Sequence, residues 1–346
     1  EYVVALSFFN THLALIQAPM AGVQDFRLAA AVSNAGGLGS LPCAMLSKQQ
    51  LVSELDKLTQ ATSNPYNLNF FCHTVGDYTS QQKQQWHNLL APYFDEYGID
   101  AESLPAGASR QPISQSVVDI IAPYKPAVVS FHFGLPEQTI MAQIKSWGTK
   151  VISTATTLDE AIWRSENGAD AIIAQGLEAG GHRGHFLSMD LSLQQSTVQL
   201  VQNCVARLSL PIVAAGGIAT ADDVEQMQAL GAAAVQVGSA YLLCCEAQTS
   251  ALHKQAILNQ KTDNTALTTL FSGRAARGIQ NRVMDELGAL AIGVPEFPHA
   301  STAITALRAS AEKAWHDDFS PLWCGQKHVP RVGMSAEDIT YLLMKK

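Results

Sequence analysis

Eight short apolar segments recur along the chain, and most are followed by a turn and a segment with helical spacing. The apolar segments are LALIQAP (13–19), GLGSL (37–41), NLNFF (67–71), PAVVSFHFG (126–134), KVISTA (150–155), DAIIAQG (170–176), PIVAAGG (211–217) and AAAVQVGS (232–239). Most are continuously apolar and several are rich in valine and isoleucine, which is typical of parallel strands buried on both faces. The alternation predicts an α/β fold with a parallel sheet.

The number of strands favours a (β/α)8 barrel, the TIM-barrel architecture. Eight strands alternating with helices match that fold, and a chain of 346 residues is long enough for one barrel with additions. An open doubly wound sheet is the main alternative. The polar residues that end the strands favour the barrel, because barrel enzymes build their sites at the carboxyl ends of the strands. Thr157 and Thr220 are predicted to cap the N-termini of two helices.

Two regions depart from the alternation. Residues 74–122 are polar, rich in glutamine and aromatic residues, and predict a helical insertion between the third and fourth strands. Residues 246–324 follow the eighth strand and predict a mainly helical cap over the barrel mouth. We therefore expect a barrel formed by residues 1–73 and 123–245, the helical insertion, and a cap or substrate region with a C-terminal tail at 246–346.

The composition limits the classes of partner and compartment. The net charge of −8 argues against nucleic acid as a partner. No apolar stretch reaches the ~18 residues that span a bilayer, and no basic segment followed by an apolar one marks a signal peptide. The six cysteines form no CxxC pair, so neither a disulfide framework nor a metal site is predicted. We expect a cytoplasmic protein.

Small residues follow the seventh and eighth strands, in AAGGIAT (214–220) and QVGSAYL (236–242). In a barrel these two loops commonly bind phosphate, because backbone N–H groups at a helix N-terminus are free and no Cβ blocks the approach. A single turn of this kind is explained by tight βα geometry alone. Two of them in this order predict a phosphate cradle formed by Gly216, Gly217, Gly238 and Ser239.

The ends of three strands predict a flat ring beside that phosphate, because one carries small side chains and two carry carboxamides. The segment QAPMAG (17–22) ends the first strand and has little side-chain bulk at its end. Asn69 and Gln175 end the third and sixth strands, and a carboxamide offers both a donor and an acceptor to the edge of a flavin ring. For either carboxamide, a hydrogen bond to a neighbouring loop is an equally good interpretation.

The segment EAGGHRGHF (178–186) follows the sixth strand and contains the candidate catalytic base. Gly180 and Gly181 lack a Cβ, so the backbone can approach a bound ring closely. A lone histidine more often has a structural role. The glycines and the position at a strand end favour His182 as a proton acceptor, since histidine titrates near neutral pH.

Two further residues near this loop are candidates with open roles. His132, at the end of the fourth strand, is predicted to line the substrate space, with a supporting role as the alternative. Arg183 either contacts phosphate or ties the loop to the protein, and the sequence does not decide between the two.

Taken together, these motifs resemble the nitronate monooxygenases, once called 2-nitropropane dioxygenases, which are FMN-dependent barrel enzymes. The motifs are QAPMAGV, SFHFG, AQGLEAGGHRGHF, PIVAAGGI, AVQVGSAYL and FSGRAARGIQN, in the same order and over most of the chain. The resemblance implies FMN as the cofactor. With the residues argued above, the candidate cofactor-binding set is Ala18, Met20, Asn69, Gln175, Gly180, Gly181, Gly216, Gly217, Gln236, Gly238 and Ser239.

The resemblance also implies the reaction. His182 would be the base that takes the α-proton from a nitroalkane, a step that an already ionised nitronate does not need. An electron would then pass to the flavin and from a flavin semiquinone to O2, and the products would be a carbonyl compound and nitrite. The redox chemistry belongs to the flavin, and the protein supplies placement and electrostatics.

One segment departs from the family pattern. Some relatives have tyrosines in the segment that matches PEFPHASTAI, whereas this chain has Phe297 and Ser301 there. Phe297 is a candidate for the substrate pocket, but it has no hydroxyl group to donate to a nitro group. Arg274 and Arg277 either meet the phosphate or fix the cap to the barrel, and the second interpretation is favoured.

Two other function classes stay open. An FMN-dependent NAD(P)H reductase, acting on enoyl-carrier protein or on quinones, shares the barrel and differs in its electron donor. A barrel that binds FMN or another phosphate ligand without turnover is the alternative outside the enzymes, and His182 argues against it. The expected partners are a nitronate or nitroalkane and O2, with neither nucleic acid nor a membrane, and a homodimer is an open alternative.

Overall fold

The computed structural model of the chain describes residues 7–104, 110–260 and 263–346. Its strands form two sheets, one parallel and one antiparallel. The strands are β1 (Leu15–Gln17), β2 (Gly39–Pro42), β3 (Tyr66–Phe71), β4 (Val128–His132), β5 (Lys150–Ala155), β6 (Ala171–Gln175), β7 (Gly181–His182), β8 (Ile212–Ala215), β9 (Ala234–Val237), β10 (Thr265–Thr268) and β11 (Ala276–Ile279).

The parallel sheet is a nearly closed barrel of eight strands. Its order is β1-β9-β8-β6-β5-β4-β3-β2, and a parallel bridge between Ile16 and Leu38 brings the first strand back to the last. The N–H of Gln17 donates to the carbonyl oxygen of Leu38 at 2.9 Å across this closure. Each of the eight apolar segments overlaps one barrel strand, so the predicted (β/α)8 barrel is confirmed and the open sheet is excluded.

The helices mostly follow the strands, as the alternation predicts. They are α1 (Phe26–Asn34), α2 (Lys48–Ala61), α3 (Ser80–Tyr97), α4 (Gln115–Ile121), α5 (Gln138–Ser146), α6 (Leu158–Glu166), α7 (Thr197–Arg207), α8 (Ala221–Ala229), α9 (Ala251–Asn259), α10 (Arg282–Leu287), α11 (Ser301–Lys313) and α12 (Ala336–Met344). The predicted caps are confirmed, since Thr157 accepts from the N–H of Glu160 and Thr220 from that of Asp223. None of the helices in the described ranges has the length and apolar character needed to cross a bilayer.

The interior of the barrel is a packed core. Side chains from several strands form one buried cluster there, as the layered interiors of such barrels require. The cluster includes Ile16, Leu38, Val128, Ile152, Ile173 and Val213. On the outside, Ile339 and Leu343 of α12 join Leu28 and Val32 of α1 in a second cluster, and α12 also contacts α8. The last helix of the chain therefore takes the place of the eighth barrel helix.

A separate core holds the regions that lie outside the alternation. Trp86 of α3 is buried with Leu307 of α11 and Phe319, and its indole N–H donates to the carbonyl oxygen of Ala300 at 3.1 Å. Residues 246–324 are not purely helical, because β10 and β11 form an antiparallel sheet with β7. Strand β11 pairs with β7, which lies in the loop after β6. Local sequence patterns do not reveal this long-range contact.

The domain boundaries expected from the sequence stay a prediction. α4 lies in the predicted insertion 74–122, yet its Val118 and Ile121 pack against Leu55 and Leu58 of α2 on the barrel. The helix therefore occupies the position of the barrel helix between β3 and β4, and α3 is the part of the insertion that joins the separate core.

Candidate active site

A cavity of about 310 Å³ opens at the carboxyl ends of the barrel strands. Every candidate catalytic, cofactor-binding or substrate-pocket residue except Phe297 lines it, whereas the three arginines with open roles, Arg183, Arg274 and Arg277, do not. The lining candidates are Ala18, Met20, Asn69, His132, Gln175, Gly180, Gly181, His182, Gly216, Gly217, Gln236, Gly238 and Ser239. Phe297 lies outside this lining, and its ring packs edge-on to the imidazole of His182 with the ring centroids 5.6 Å apart. The structure thus brings together residues from most of the barrel's loops.

His182 is held by a short strand and by a hydroxyl group. In β7 it pairs with Ala276 of β11, and its Nε2 lies 2.7 Å from Ser272 Oγ. Ser272 Oγ also donates to the carbonyl oxygen of Arg274 at 3.3 Å, and a carbonyl oxygen accepts only. This network assigns the imidazole proton to Nε2, where it points to Ser272, and leaves the lone pair on Nδ1.

The surroundings of His182 keep its imidazole neutral. Burial is the largest cause, and the positive charge of Arg110 adds to it, so the pKa of His182 lies well below its ordinary value. His132 and Arg274 act in the same direction. At neutral pH the imidazole is therefore unprotonated at one nitrogen, which a proton acceptor at this position requires.

Two side chains fix the backbone carbonyl of His182. His132 Nε2 and Gln175 Nε2 both donate to this oxygen at 3.0 Å. The carboxamide oxygen of Gln175 accepts from the N–H of Gly184 at 2.8 Å, and Thr154 Oγ1 lies 3.0 Å from His132 Nδ1. Burial lowers the pKa of His132 to about 3, so the ring is a neutral donor at Nε2. Both residues line the cavity, and both use their polar atoms to position the loop that carries His182.

Arg183 is a structural tie. Its side chain is fully buried, and all three guanidinium nitrogens donate within the protein. Nε donates to Gln194 Oε1 at 2.7 Å, Nη1 to the carbonyl oxygen of Gly176 at 2.6 Å, and Nη2 to that of Gln175 at 2.7 Å. Of the two interpretations that the sequence left open for Arg183, the structure supports the tie.

The other two arginines near the loop also serve contacts within the protein. Arg277 Nε donates to the carbonyl oxygen of Leu177 at 2.8 Å. Arg274 donates to the carbonyl oxygen of His185, and its guanidinium lies 4.2 Å from the ring centroid of Phe133. These contacts join the segment around β11 to the loop after β6, which is the interpretation the sequence favoured.

The glycine side of the cavity fits a ligand with a polar ring and a phosphate. Gly216 and Gly217 have φ angles of 119° and 70°, a backbone conformation that favours glycine and leaves the loop bare of side chains. The carboxamide oxygen of Gln236 is buried and has no hydrogen-bond partner among the described residues. A buried acceptor of this kind is expected to meet a donor on a ligand. Ser239 Oγ accepts from the N–H of Gly325 at 2.9 Å and keeps its own proton to donate.

The sequence predicts a cap over the barrel mouth from residues 246–324 but indicates no site residue in the segment that covers this side of the cavity. Residues 320–327, called the C-terminal strap below, contribute most of their members to the lining, among them Trp323 and Lys327. The strap lies far beyond the last barrel strand, so its return to the barrel is a long-range contact. Its sequence, SPLWCGQK, does combine an aromatic residue, a glycine and a cation, as EAGGHRGHF does, and that similarity was the available signal.

Gly180 lies against the strap, and alanine at this position is expected to destabilise the fold. A Cβ on Gly180 would lie 2.5 Å from the backbone nitrogen of Gly325 and 2.6 Å from the carbonyl carbon of Cys324. Because backbone atoms do not yield easily, we expect Gly180→Ala to lower the free energy of unfolding by about 3 kcal/mol, measured by urea denaturation.

The neighbouring Gly181 is a matched control. It has a φ of 73°, and no atom lies within 4 Å of the position of an added Cβ. Gly181→Ala therefore meets backbone strain without a clash, at a cost of about 1 kcal/mol. A larger loss of stability in Gly181→Ala than in Gly180→Ala would contradict the close approach of the strap.

Comparison with known proteins adds a family and several relatives. A family model described as nitronate monooxygenase matches residues 4–345. The chain is 37% identical over 317 residues to a nitronate monooxygenase of Pseudomonas aeruginosa, with 90% of each chain covered. It is 34% identical over 328 residues to a probable nitronate monooxygenase of Staphylococcus haemolyticus, covering 94% of this chain and 91% of the relative.

Solved structures of similar fold include a nitroalkane oxidase from Streptomyces ansochromogenes. It superposes with a TM-score of 0.88 at 32% sequence identity, over 99% of this chain and 97% of that one. FabK from Thermotoga maritima superposes with a TM-score of 0.71 at 23% identity, over 99% of this chain and 94% of its own. At that identity the second likeness supports the fold alone.

Proposed function

The chain belongs to the nitronate monooxygenase family, whose members are flavin-dependent oxidoreductases, and we propose that it oxidises alkyl nitronates with O2 to carbonyl compounds and nitrite. We propose FMN as the flavin, and the parent nitroalkanes as further substrates that first lose an α-proton. The nitroalkane oxidase from Streptomyces ansochromogenes supports a nitro compound as the substrate class. A cytoplasmic location and a homodimer stay predictions.

The observation that carries this proposal is a neutral imidazole in a cavity with a cation that has no carboxylate partner. Arg110 lines the cavity, and its positive charge lowers the pKa of His182. The charge that acts on Arg110 itself is that of a second cation, Arg308, and no ion pair joins Arg110 to a carboxylate of the described residues. Burial lowers the pKa of Arg110, which is the expected effect on a cation without a compensating anion. A nitronate carries the negative charge that such a site lacks, and the nitronate anion needs no base.

Each part of the cavity has a role in this proposal. The neutral His182 would accept the α-proton of a nitroalkane at Nδ1, because Nε2 donates to Ser272. Gly216, Gly217 and Ser239 would hold the phosphate of FMN. Gln236, with its unpartnered oxygen, would bind the edge of the ring, as would the other candidate cofactor residues that line the cavity. Bound flavin supplies the electron-transfer chemistry, and the protein supplies position and charge.

We expect the protein as purified to be yellow and to consume O2 when ethyl nitronate or propionate 3-nitronate is added. Nitrite should be released in proportion to the substrate consumed, which distinguishes denitrification from uncoupled oxygen reduction. The measurement is oxygen uptake with a nitrite assay, beside the same protein freed of flavin. In a parallel measurement, the same yellow protein is given NADH in place of the nitronate, and the flavin absorbance is followed without oxygen.

The outcome with NADH separates the proposal from the reductase alternative. Rapid anaerobic bleaching of the flavin by NADH, with no reaction towards nitronates, would assign the chain to the reductases. A yellow protein that turns over neither compound would favour a binding protein without catalysis.

A further inference from the structure

The C-terminal strap, residues 320–327, closes the glycine side of the cavity. The N–H of Gly325 donates to Ser239 Oγ at 2.9 Å, and the N–H of Gln326 donates to the carbonyl oxygen of Glu178 at 3.0 Å. The strap is thus hydrogen-bonded both to the loop after β9 and to the loop after β6. Its last residue, Lys327, lines the same cavity as Gly216 and Gly217.

Lys327 is paired with a carboxylate that other hydrogen bonds also hold in position. Its Nζ lies 2.5 Å from Asp223 Oδ1, at the start of α8. The other carboxylate oxygen, Oδ2, accepts from the N–H groups of Ala219 and Thr220 and from Thr220 Oγ1, at 2.8–2.9 Å. Since these bonds hold Asp223 in place, the ammonium group can turn to another anion without disrupting the cap. The side chain of Lys327 is 50% exposed, so it is free to move.

Lys327 is the lining cation next to the predicted cradle, because its partner Asp223 accepts from the N–H of Ala219, two residues after Gly217. Three arginine or lysine side chains among the described residues line this cavity, and the other two are Arg110 and Arg308. Both arginines also line a small neighbouring cavity with Ser272 and Trp323, which places them on the side of His182. The predicted cradle itself contains only glycines and a hydroxyl group, which carry no charge.

We propose that Lys327 is a phosphate-binding residue of this site, and that the strap thereby selects a phosphorylated flavin over an unphosphorylated one. The proposal rests on the proposed function, since it takes FMN as the ligand. A phosphate monoester carries about −1.5 to −2 charges at neutral pH, and a neutral cradle leaves this charge unbalanced. Lys327 supplies the missing positive charge from the strap, while Ser239 and the glycines supply hydrogen-bond donors.

The test compares FMN with riboflavin, which has the same ring and no phosphate. Flavin-free protein is titrated with each flavin, and binding is followed by quenching of flavin fluorescence at low and at high salt. We expect Lys327→Met to raise the Kd for FMN about threefold to tenfold at low salt, an effect in the range of partly exposed ion pairs. The Kd for riboflavin should change less than about twofold, and high salt should reduce the loss for FMN.

Two further variants control the charge and the surface. Lys327→Arg keeps the positive charge and should restore most of the FMN affinity. Lys345→Met removes a lysine that pairs with Glu225 of the same helix α8 but does not line the cavity, and it should change neither Kd.

The possible results separate this inference from the proposed function. Equal weakening of FMN and riboflavin in Lys327→Met would mean that the strap shapes the cavity without binding phosphate, and it would overturn the inference alone. No change with either flavin would also overturn it. If the wild-type protein binds FMN no better than riboflavin, or binds neither flavin, the result contradicts the proposed phosphate site and therefore FMN as the cofactor.

Discussion

Replacing His182 with asparagine is expected to slow turnover of a neutral nitroalkane by about 10²–10⁴-fold, the usual contribution of a general base. Asparagine still offers an amide group to Ser272, but it has no nitrogen lone pair for a proton. Turnover of the corresponding nitronate should fall much less, because its carbon has already lost that proton. The measurement is kcat/KM for oxygen uptake with nitroethane and with freshly prepared ethyl nitronate.

The pH dependence of the wild-type enzyme follows from the same geometry. The pKa of His182 lies well below its ordinary value, so the imidazole is already deprotonated from about pH 6 to 8. The rate with nitroethane should therefore show no decline caused by His182 as the pH falls through that range. An apparent pKa near 6.5 that disappears in His182→Asn would contradict the buried, cation-rich environment.

His185 provides a matched control in the same loop. It is buried, and it does not line the cavity. His185→Asn is expected to reduce the rates with both substrates alike through its effect on the fold. If His182→Asn also reduces both rates by the same factor, then His182 does not take a carbon-bound proton.

The barrel could be predicted because its strands are local and continuous. The segment KVISTA predicts a strand over residues 150–155, and β5 covers the same residues. The antiparallel sheet of β10, β11 and β7 could not be predicted in this way. Its strand β11 pairs with β7, a two-residue strand in a distant loop. The same holds for α12, which completes the barrel from the end of the chain.

The location of the site could be predicted, but the contacts within it could not. Strand ends and glycines placed His182 and the cradle at one mouth, because the topology of a barrel brings the carboxyl ends of its strands together. Gln236 was added by the family resemblance. For Gln175 the sequence left two interpretations open, the edge of a ring and a neighbouring loop, and the structure shows both ends of its carboxamide engaged with the loop of His182. Such contacts depend on how a loop folds back, which residue type and spacing do not determine.

Removing the Arg183 guanidinium is expected to destabilise the protein by about 3–5 kcal/mol. In Arg183→Met the carbonyl oxygen of Gln175 and the carboxamide oxygen of Gln194 lose the donor that Arg183 supplies inside the protein. The carbonyl oxygen of Gly176 loses one of two donors and keeps the N–H of Ala179. Methionine fills much of the volume but cannot donate a hydrogen bond, so the cost arises from unpaired acceptors rather than from a cavity. The measurement is urea denaturation followed by circular dichroism, with the same FMN concentration for every variant because bound ligand adds stability.

Arg207→Met is the matched control, since Arg207 is exposed in the last turn of α7. Its free energy of unfolding should stay within about 0.5 kcal/mol of the wild-type value. Arg183→Met should also lower the catalytic rate. Arg183 directly follows His182, and its hydrogen bond to the carbonyl oxygen of Gln175 holds the loop that carries His182 against β6. A stable Arg183→Met protein that had selectively lost affinity for FMN over riboflavin would instead make Arg183 a phosphate ligand, against the three internal acceptors that surround it.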